Sequence, residues 1–282
     1  MTDEYGNLEL HKVLLAAMKD IDKICRENGL RYYLYAGTLL GAVNFKGFIP
    51  WDDDVDIVML SNDYNKFKSI IERDYGERYK MMTFDNTANW YSKMSKLQVL
   101  GTEIITNNGE AAPIFVDIST LHNMPDNKLS MLIQRKKIEF YNLSLAVLSG
   151  AVIPTSLKSK LTIGQMAKQG KDKLGKKLDT ALCRYDRKRT KYVGIMCNTI
   201  CPNPYTGKCG YITDRTEINW HDNPRYVEFE DTKLMTISNI EDYLDWQYGT
   251  KWREPYPKEK RITKHNVREY QIDSKVREWI GK

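Results

Sequence analysis

Four carboxylates fall within five positions, Asp52, Asp53, Asp54 and Asp56, and the chain then runs into the apolar segment Val55 to Leu60. On an extended strand, successive side chains alternate faces. Asp52, Asp54 and Asp56 are therefore expected to share one face, with Val55 and Ile57 pointing into a core. Three anions on one face repel at short range, so a cation must sit among them or one must hold a proton. Hard oxygen donors on a rigid element suit Mg²⁺ (or Mn²⁺), which binds one or two carboxylates together with substrate phosphates. A plainer reading is a solvated acidic turn, because charged residues mostly sit in water. A calcium loop is a third reading. It needs Gly at its sixth position, where this chain has Ile57 followed by Val58, a β-branched pair that favours a strand.

Upstream, an aromatic strand-like run, Tyr32 to Tyr35, leads into Gly37-Thr38. Gly lets a backbone approach a phosphate closely, and a Thr hydroxyl can donate to one. A strand, a Gly-Thr turn and a strand bearing Asp54-Val-Asp56-Ile together resemble the nucleotidyltransferase fold. The fuller string is more specific: Gly-Thr-Leu-Leu-Gly-Ala at 37–42, then Gly-Phe-Ile-Pro-Trp-Asp-Asp-Asp-Val-Asp-Ile at 47–57. It resembles the LicD family, phosphocholine transferases of bacterial surface glycans related to the fukutins. The resemblance is strongest over residues 30–60 and extends to 110–125 and 225–257. There Tyr248-Gly249, Trp252 and Pro255 look like the family's Y-G-x-W-x-x-P element.

The resemblance implies an α+β fold: a nucleotidyltransferase-like mixed β-sheet with flanking helices and a mostly helical insertion. It implies a catalytic core over 1–125, an insertion over 126–220 as a candidate acceptor-binding region, and a C-terminal hairpin and helix over 221–282. Its donor is CDP-choline or another CDP-alcohol, its acceptor a hydroxyl of a glycan or lipid-linked glycan such as teichoic acid or a lipopolysaccharide or capsule precursor, and CMP leaves. A third carboxylate belongs on a later strand, and Asp117, inside the apolar run Ile114 to Ile118, fits it; a strand-end Asp capping a loop is the other reading. The family also places a lysine near the donor phosphates, for which Lys96 is the candidate, with solvent exposure the plainer alternative.

Phosphoryl transfer needs neutralised phosphates and an in-line nucleophile. Asp54 and Asp56 are expected to hold the metal, and Asp52 to lie behind them or hold a second ion. Asp117 would complete the metal site and take the proton of the attacking hydroxyl, while Gly37 and Thr38 seat the donor phosphates. A quaternary ammonium calls for aromatic faces; Trp252 is the choice among Trp51, Trp90, Tyr91, Trp220, Trp246 and Trp252. His265, in the basic tail 258–268, could reach a phosphate or simply be exposed. No motif for a covalent nucleophile is present, so direct attack by the acceptor is expected. The rival activity is transfer of a nucleoside monophosphate to a small acceptor.

The chain has 282 residues, 41% hydrophobic and 28% charged, which is ordinary for a globular protein. A net charge of +6 does not call for nucleic acid; it fits nucleotides, phosphorylated glycans or a peripheral contact with an anionic membrane. No apolar run reaches the roughly 18 residues of a membrane span, and the N-terminus lacks a secretory pattern, so a cytoplasmic location is expected. Five scattered Cys (25, 183, 197, 201 and 209) fit reduced thiols better than a disulfide framework.

Leu10, Leu14, Ala17, Ile21 and Ile24 predict an amphipathic helix over 8–28. Helices are also expected over 62–75, 126–150 and 172–190, the last basic, and a short one from Asn239 through Tyr248. Strands are expected over 78–84, 93–100 and 114–118, a hairpin over 225–237, and a loop from Pro154 to Gly170.

Overall fold

The computed structural model describes residues 4–107, 109–196, 215–261, 263 and 267–281. The chain forms two compact units. One comprises Met1–Met82, Lys96–Ser119 and Asn223–Lys282, and the other Thr83–Ser95 and Thr120–Asp222. Helices and a mixed sheet together make an α+β fold.

In chain order the first unit contains α1 (Leu8–Glu27), β1 (Tyr33–Leu34), α2 (Ala36–Phe45), β2 (Asp56–Leu60), α3 (Ser61–Asp74), β3 (Tyr79–Met82), β4 (Ser95–Val99), β5 (Thr102–Thr106), β6 (Ala111–Ala112) and the first half of β7 (Phe115–Met124). The apolar stripe of α1 is buried throughout, as its spacing predicts. Strands run in the order β1-β2-β7-β4-β3, so β2 and β7 are neighbours. Tyr32, between α1 and β1, donates its hydroxyl to Asp22 at 3.1 Å and accepts the Met235 amide at 3.1 Å. Burial and the Asp22 carboxylate hold that hydroxyl well above its ordinary pKa, so it stays a neutral donor.

The chain differs from the sequence reading at Gly37-Thr38. These residues do not form a turn; they occupy the first turn of α2. Ala36 enters the helix at φ 44, and its amide donates to the Tyr243 hydroxyl at 3.2 Å. A left-handed non-glycine residue costs on the order of 1 kcal/mol, and here a tertiary hydrogen bond supports it. The helix is apolar nearly all round, and a Cβ on Gly41 would stand 2.6 Å from the Gly47 carbonyl, so Gly41 permits the returning chain to pass close.

Strands β10 (Arg225–Phe229) and β11 (Thr232–Thr236) form the predicted hairpin. α8 (Ile240–Tyr248) follows; Asn239 stands at its N-cap position, but its side chain donates to the Asp242 carboxylate at 2.9 Å instead of accepting a helix amide, and Gly249, φ 78, ends it. β12 (Val267–Ile272) pairs with β5 and β5 with β6 in a separate small sheet, and α9 (Ser274–Ile280) ends the unit.

The second unit holds α4 (Lys128–Leu148) and α7 (Lys171–Leu182), which pack around Phe84, Met124, Ile138, Leu145, Leu174, Leu178 and Leu182. Burying such a side chain contributes about 1.5–3 kcal/mol. The first apolar turns of α4 do not join this core: Leu129, Leu132 and Ile133 are exposed. The second half of β7 pairs with β8 (Tyr192–Ile195), and β8 with β9 (Arg215–Glu217). The segment expected as a loop at Pro154–Gly170 is largely helical, as α5 (Leu157–Ser159), a π-helical turn (Lys160–Gly164) and α6 (Gln165–Ala167). Ser156 and Ser159 start it by exchanging side-chain and backbone hydrogen bonds.

Candidate active site

The acidic stretch is a loop before β2 rather than part of it. β2 begins at Asp56, so strand alternation does not govern residues 52–54. Instead one carboxylate oxygen from each of Asp52, Asp53 and Asp54 lies within 4.8 Å of the others, with Asp52 and Asp53 buried and Asp54 half-buried. Asp53, which strict alternation would send to the opposite face, joins the group.

The beginning of α1 holds this loop. The His11 ring Nε2 donates to the Asp52 carbonyl at 2.8 Å, and Asn7 donates to the same carbonyl at 3.3 Å and to that of Pro50 at 3.2 Å. His11 stacks on Phe48, with ring centroids 4.2 Å apart and planes 5° from parallel. Tyr270 of β12 donates to Asn7 at 3.2 Å. On the other side, Glu230 at the hairpin tip accepts the Phe48 amide at 3.0 Å and donates its own amide to the Lys46 carbonyl at 2.6 Å. A Cβ on Gly47 would collide with the Glu230 side chain, so Gly47 is the residue that lets it in.

The first turn of α2 adjoins the acidic loop. A Cβ on Gly37 would lie 2.7 Å from Asp52 Oδ2. Thr38, buried, accepts the Asp56 amide on Oγ1 at 2.8 Å, and the Tyr35 amide donates to the Asp56 carbonyl at 3.1 Å. Both backbone groups of Asp56 are thereby tied to residues 35–38, which fixes where β2 starts.

Asp117 lies on β7, and its amide donates to the Val55 carbonyl at 2.8 Å, between the positions of Asp54 and Asp56. Its buried carboxylate accepts Lys96 Nζ at 2.9 Å, with 14% of the lysine side chain and 11% of the aspartate's exposed. The ammonium also lies 3.3 Å from the Phe115 ring centroid. Lys96 is thus turned inward, and it balances the charge of Asp117.

Trp252 is buried. Its indole donates to Asp245 at 2.6 Å, and the Arg253 guanidinium covers its ring at 4.0 Å. A looser group of rings surrounds Trp51, beside Asp52: Tyr5 at 5.8 Å, Phe45 at 5.7 Å and Tyr256 at 6.0 Å. His265, with Cys197, Cys201 and Cys209, lies outside the described residues. Sequence reasoning did not single out His11, Asn7 or Glu230. Their signal is tertiary, since each acts on residues at least 37 positions away in the sequence, the shortest separation being His11 to Phe48. The donor chemistry of the loop, carboxylate oxygens only, fits a hard divalent ion.

No helix among the described residues is long and apolar enough to cross a membrane. Residues 29–145 match the family model described as LicD/FKTN/FKRP, nucleotidyltransferase domain. The chain is 24% identical over 270 residues to the lipopolysaccharide cholinephosphotransferase LicD of Haemophilus influenzae, covering 94% of this chain and 97% of that protein. Shorter matches of 58 residues occur with uncharacterized proteins of Rickettsia typhi, at 41% identity over 19% of its length, and Rickettsia prowazekii, at 40% over 22%. The domain match spans α2, the acidic loop, β2 and Asp117 together, so the candidate site lies wholly within the part of the chain that is similar to the LicD family.

Proposed function

We propose that this chain transfers a phosphorylated alcohol, phosphocholine from CDP-choline first among them, to a hydroxyl of a cell-surface glycan and releases CMP. The observation that carries the reading is the convergence of Asp52, Asp53 and Asp54 beside the first turn of α2. Similarity to a lipopolysaccharide cholinephosphotransferase over nearly the whole of both chains supports the choice of substrates.

Asp54, which belongs to the converging group, and Asp56 and Asp117, which stand outside it, are the residues that would hold Mg²⁺ or Mn²⁺; when bound, such an ion would neutralise charge on the donor phosphates. Asp52 and Asp53 keep the loop anionic behind them. The first turn of α2, where Gly37 and Thr38 sit, presents backbone amides and the positive end of a helix dipole to phosphate oxygens. Lys96 turns from Asp117 to the donor phosphates, and the freed Asp117 carboxylate accepts the proton of the acceptor hydroxyl. The hydroxyl oxygen attacks the phosphorus of the phosphocholine group, the bond to the bridging oxygen breaks, and CMP departs with that electron pair. Each indole already carries a guanidinium, Arg261 over Trp51 at 4.7 Å and Arg253 over Trp252 at 4.0 Å, but Trp51 is half-buried where Trp252 is buried, so the rings about Trp51 are the easier for a quaternary ammonium to reach.

Incubation of the full chain with a panel of CDP-alcohols, Mg²⁺ and a lipopolysaccharide or teichoic acid acceptor tests the reading. The expected products are CMP and an acceptor heavier by a phospho-alcohol. A nucleotidylated acceptor would establish the rival nucleotidyltransferase activity instead.

A further inference from the structure

Among the described residues, two sets of three or more metal-capable groups close to within 4.8 Å. One is the acidic loop. The other lies wholly in the second unit and is made by His122, Cys183 and Asp186. His122 is on the second half of β7, and the other two residues lie on the helical turn that follows α7.

His122 Nδ1 is 2.8 Å from Asp186 Oδ2 and 3.8 Å from Cys183 Sγ. Both neighbours face the same ring nitrogen. A nucleophilic Cys-His-Asp relay needs the thiol and the carboxylate on opposite nitrogens of the imidazole, so this arrangement is not one. The three donors instead converge on one side of the ring, within 4.8 Å of one another. Tetrahedral Zn²⁺, with bonds of about 2.3 Å to sulfur and about 2.0 Å to imidazole nitrogen or carboxylate oxygen, separates sulfur from nitrogen by about 3.5 Å and nitrogen from oxygen by about 3.3 Å. The distances present are 3.8 Å and 2.8 Å, so the ion fits once the His122–Asp186 hydrogen bond opens by about 0.5 Å. The second Asp186 oxygen accepts the Asn123 amide at 2.8 Å, so the carboxylate is already oriented, as second partners orient the ligands of built metal sites.

We propose that His122, Cys183 and Asp186 bind a borderline transition-metal ion of the Zn²⁺ class, with a fourth position open to water beside the exposed Cys183. A mixed nitrogen, sulfur and oxygen set discriminates against Mg²⁺, which selects oxygen alone. Binding expels the thiol proton and moves the remaining imidazole proton to Nε2, leaving a thiolate, a neutral ring and a carboxylate around the ion. The ion cross-links β7 to the end of α7 across about 60 residues of sequence. This site is separate from the acidic loop, and it stands or falls independently of the transfer reaction.

Cobalt is the probe. Full-length chain stripped by chelator and titrated with Co²⁺ is expected to develop a thiolate-to-cobalt charge-transfer band saturating near one equivalent, to lose it in Cys183→Ser, and to bind Co²⁺ at least about tenfold more weakly in His122→Ala. Absence of the band, or a band of equal intensity in Cys183→Ser, overturns the proposal, the second outcome because it assigns the ion to other cysteines. A measurement on the unaltered chain guards against a misfolded variant. Alkylation of Cys183, followed by peptide mass spectrometry, is expected to slow at least about tenfold when Zn²⁺ is added. An unchanged rate overturns the site.

Discussion

Lys96 Nζ and Asp117 Oδ1, on adjacent strands β4 and β7, stand 2.9 Å apart with little of either side chain in water. Removing one member of such a pair strands the other charge. Lys96→Met is therefore expected to lower unfolding free energy by about 3 kcal/mol, and pairing it with Asp117→Asn to recover most of that loss. Urea titration of the two single variants and the double variant gives the coupling. Three additive results would mean the contact contributes nothing.

Asp54→Asn and Asp56→Asn are each expected to cut turnover at least about 10²-fold. In chelator-treated buffer Asp54→Asn should not melt below the wild type, because it removes a charge from the crowded group it forms with Asp52 and Asp53. A metal-free melting temperature that drops in Asp54→Asn would contradict this.

Thr38 holds Asp56 through a hydroxyl that accepts a backbone amide. Thr38→Val keeps the shape and leaves the amide without that acceptor, a loss of about 1–2 kcal/mol. Turnover is expected to fall in Thr38→Val and to return in Thr38→Ser. Equal activity of the two variants would show that the hydroxyl does not position β2.

Glu139 on α4 accepts Arg135 at 2.5 Å and Lys136 at 3.0 Å. Burial pushes its carboxyl up, but those hydrogen bonds and the two cationic charges outweigh burial and hold it below the ordinary value. A depressed carboxylate contributes stability above its unfolded pKa, about 4.3, and loses it as pH falls through the folded value. The melting difference between wild type and Glu139→Gln, worth about 0.5 kcal/mol, should be full above about pH 5.5 and fade on acidification below about pH 4. A difference that widens in acid would reverse the sign.

Local periodicity made part of this architecture legible. The stripe from Leu10 to Ile24 and the alternation at 225–237 fixed a helix and a hairpin, because each is built from neighbours in sequence. The acidic stretch and its relation to Gly37-Thr38 were also visible, but their geometry was not. Two low-propensity residues read as a turn, and only the Tyr243 hydroxyl and the close pass of Gly41 and Gly47 reveal why α2 starts there. Alternation failed at 52–54 because His11 and Asn7 hold that loop out of strand geometry. The small sheet of β12, β5 and β6 escaped notice because Ile272 pairs with Thr102, a partner no short window contains.

The acidic loop is gripped by Asn7 and His11 near one terminus, by Glu230 late in the chain, and through Asn7 by Tyr270 later still. A nascent polypeptide emerging from the ribosome therefore displays its aspartates long before the clamp around them exists. The loop takes its shape only once Glu230 and Tyr270 have been made, and a chain that stops short of the hairpin is born without the vice that holds its aspartates.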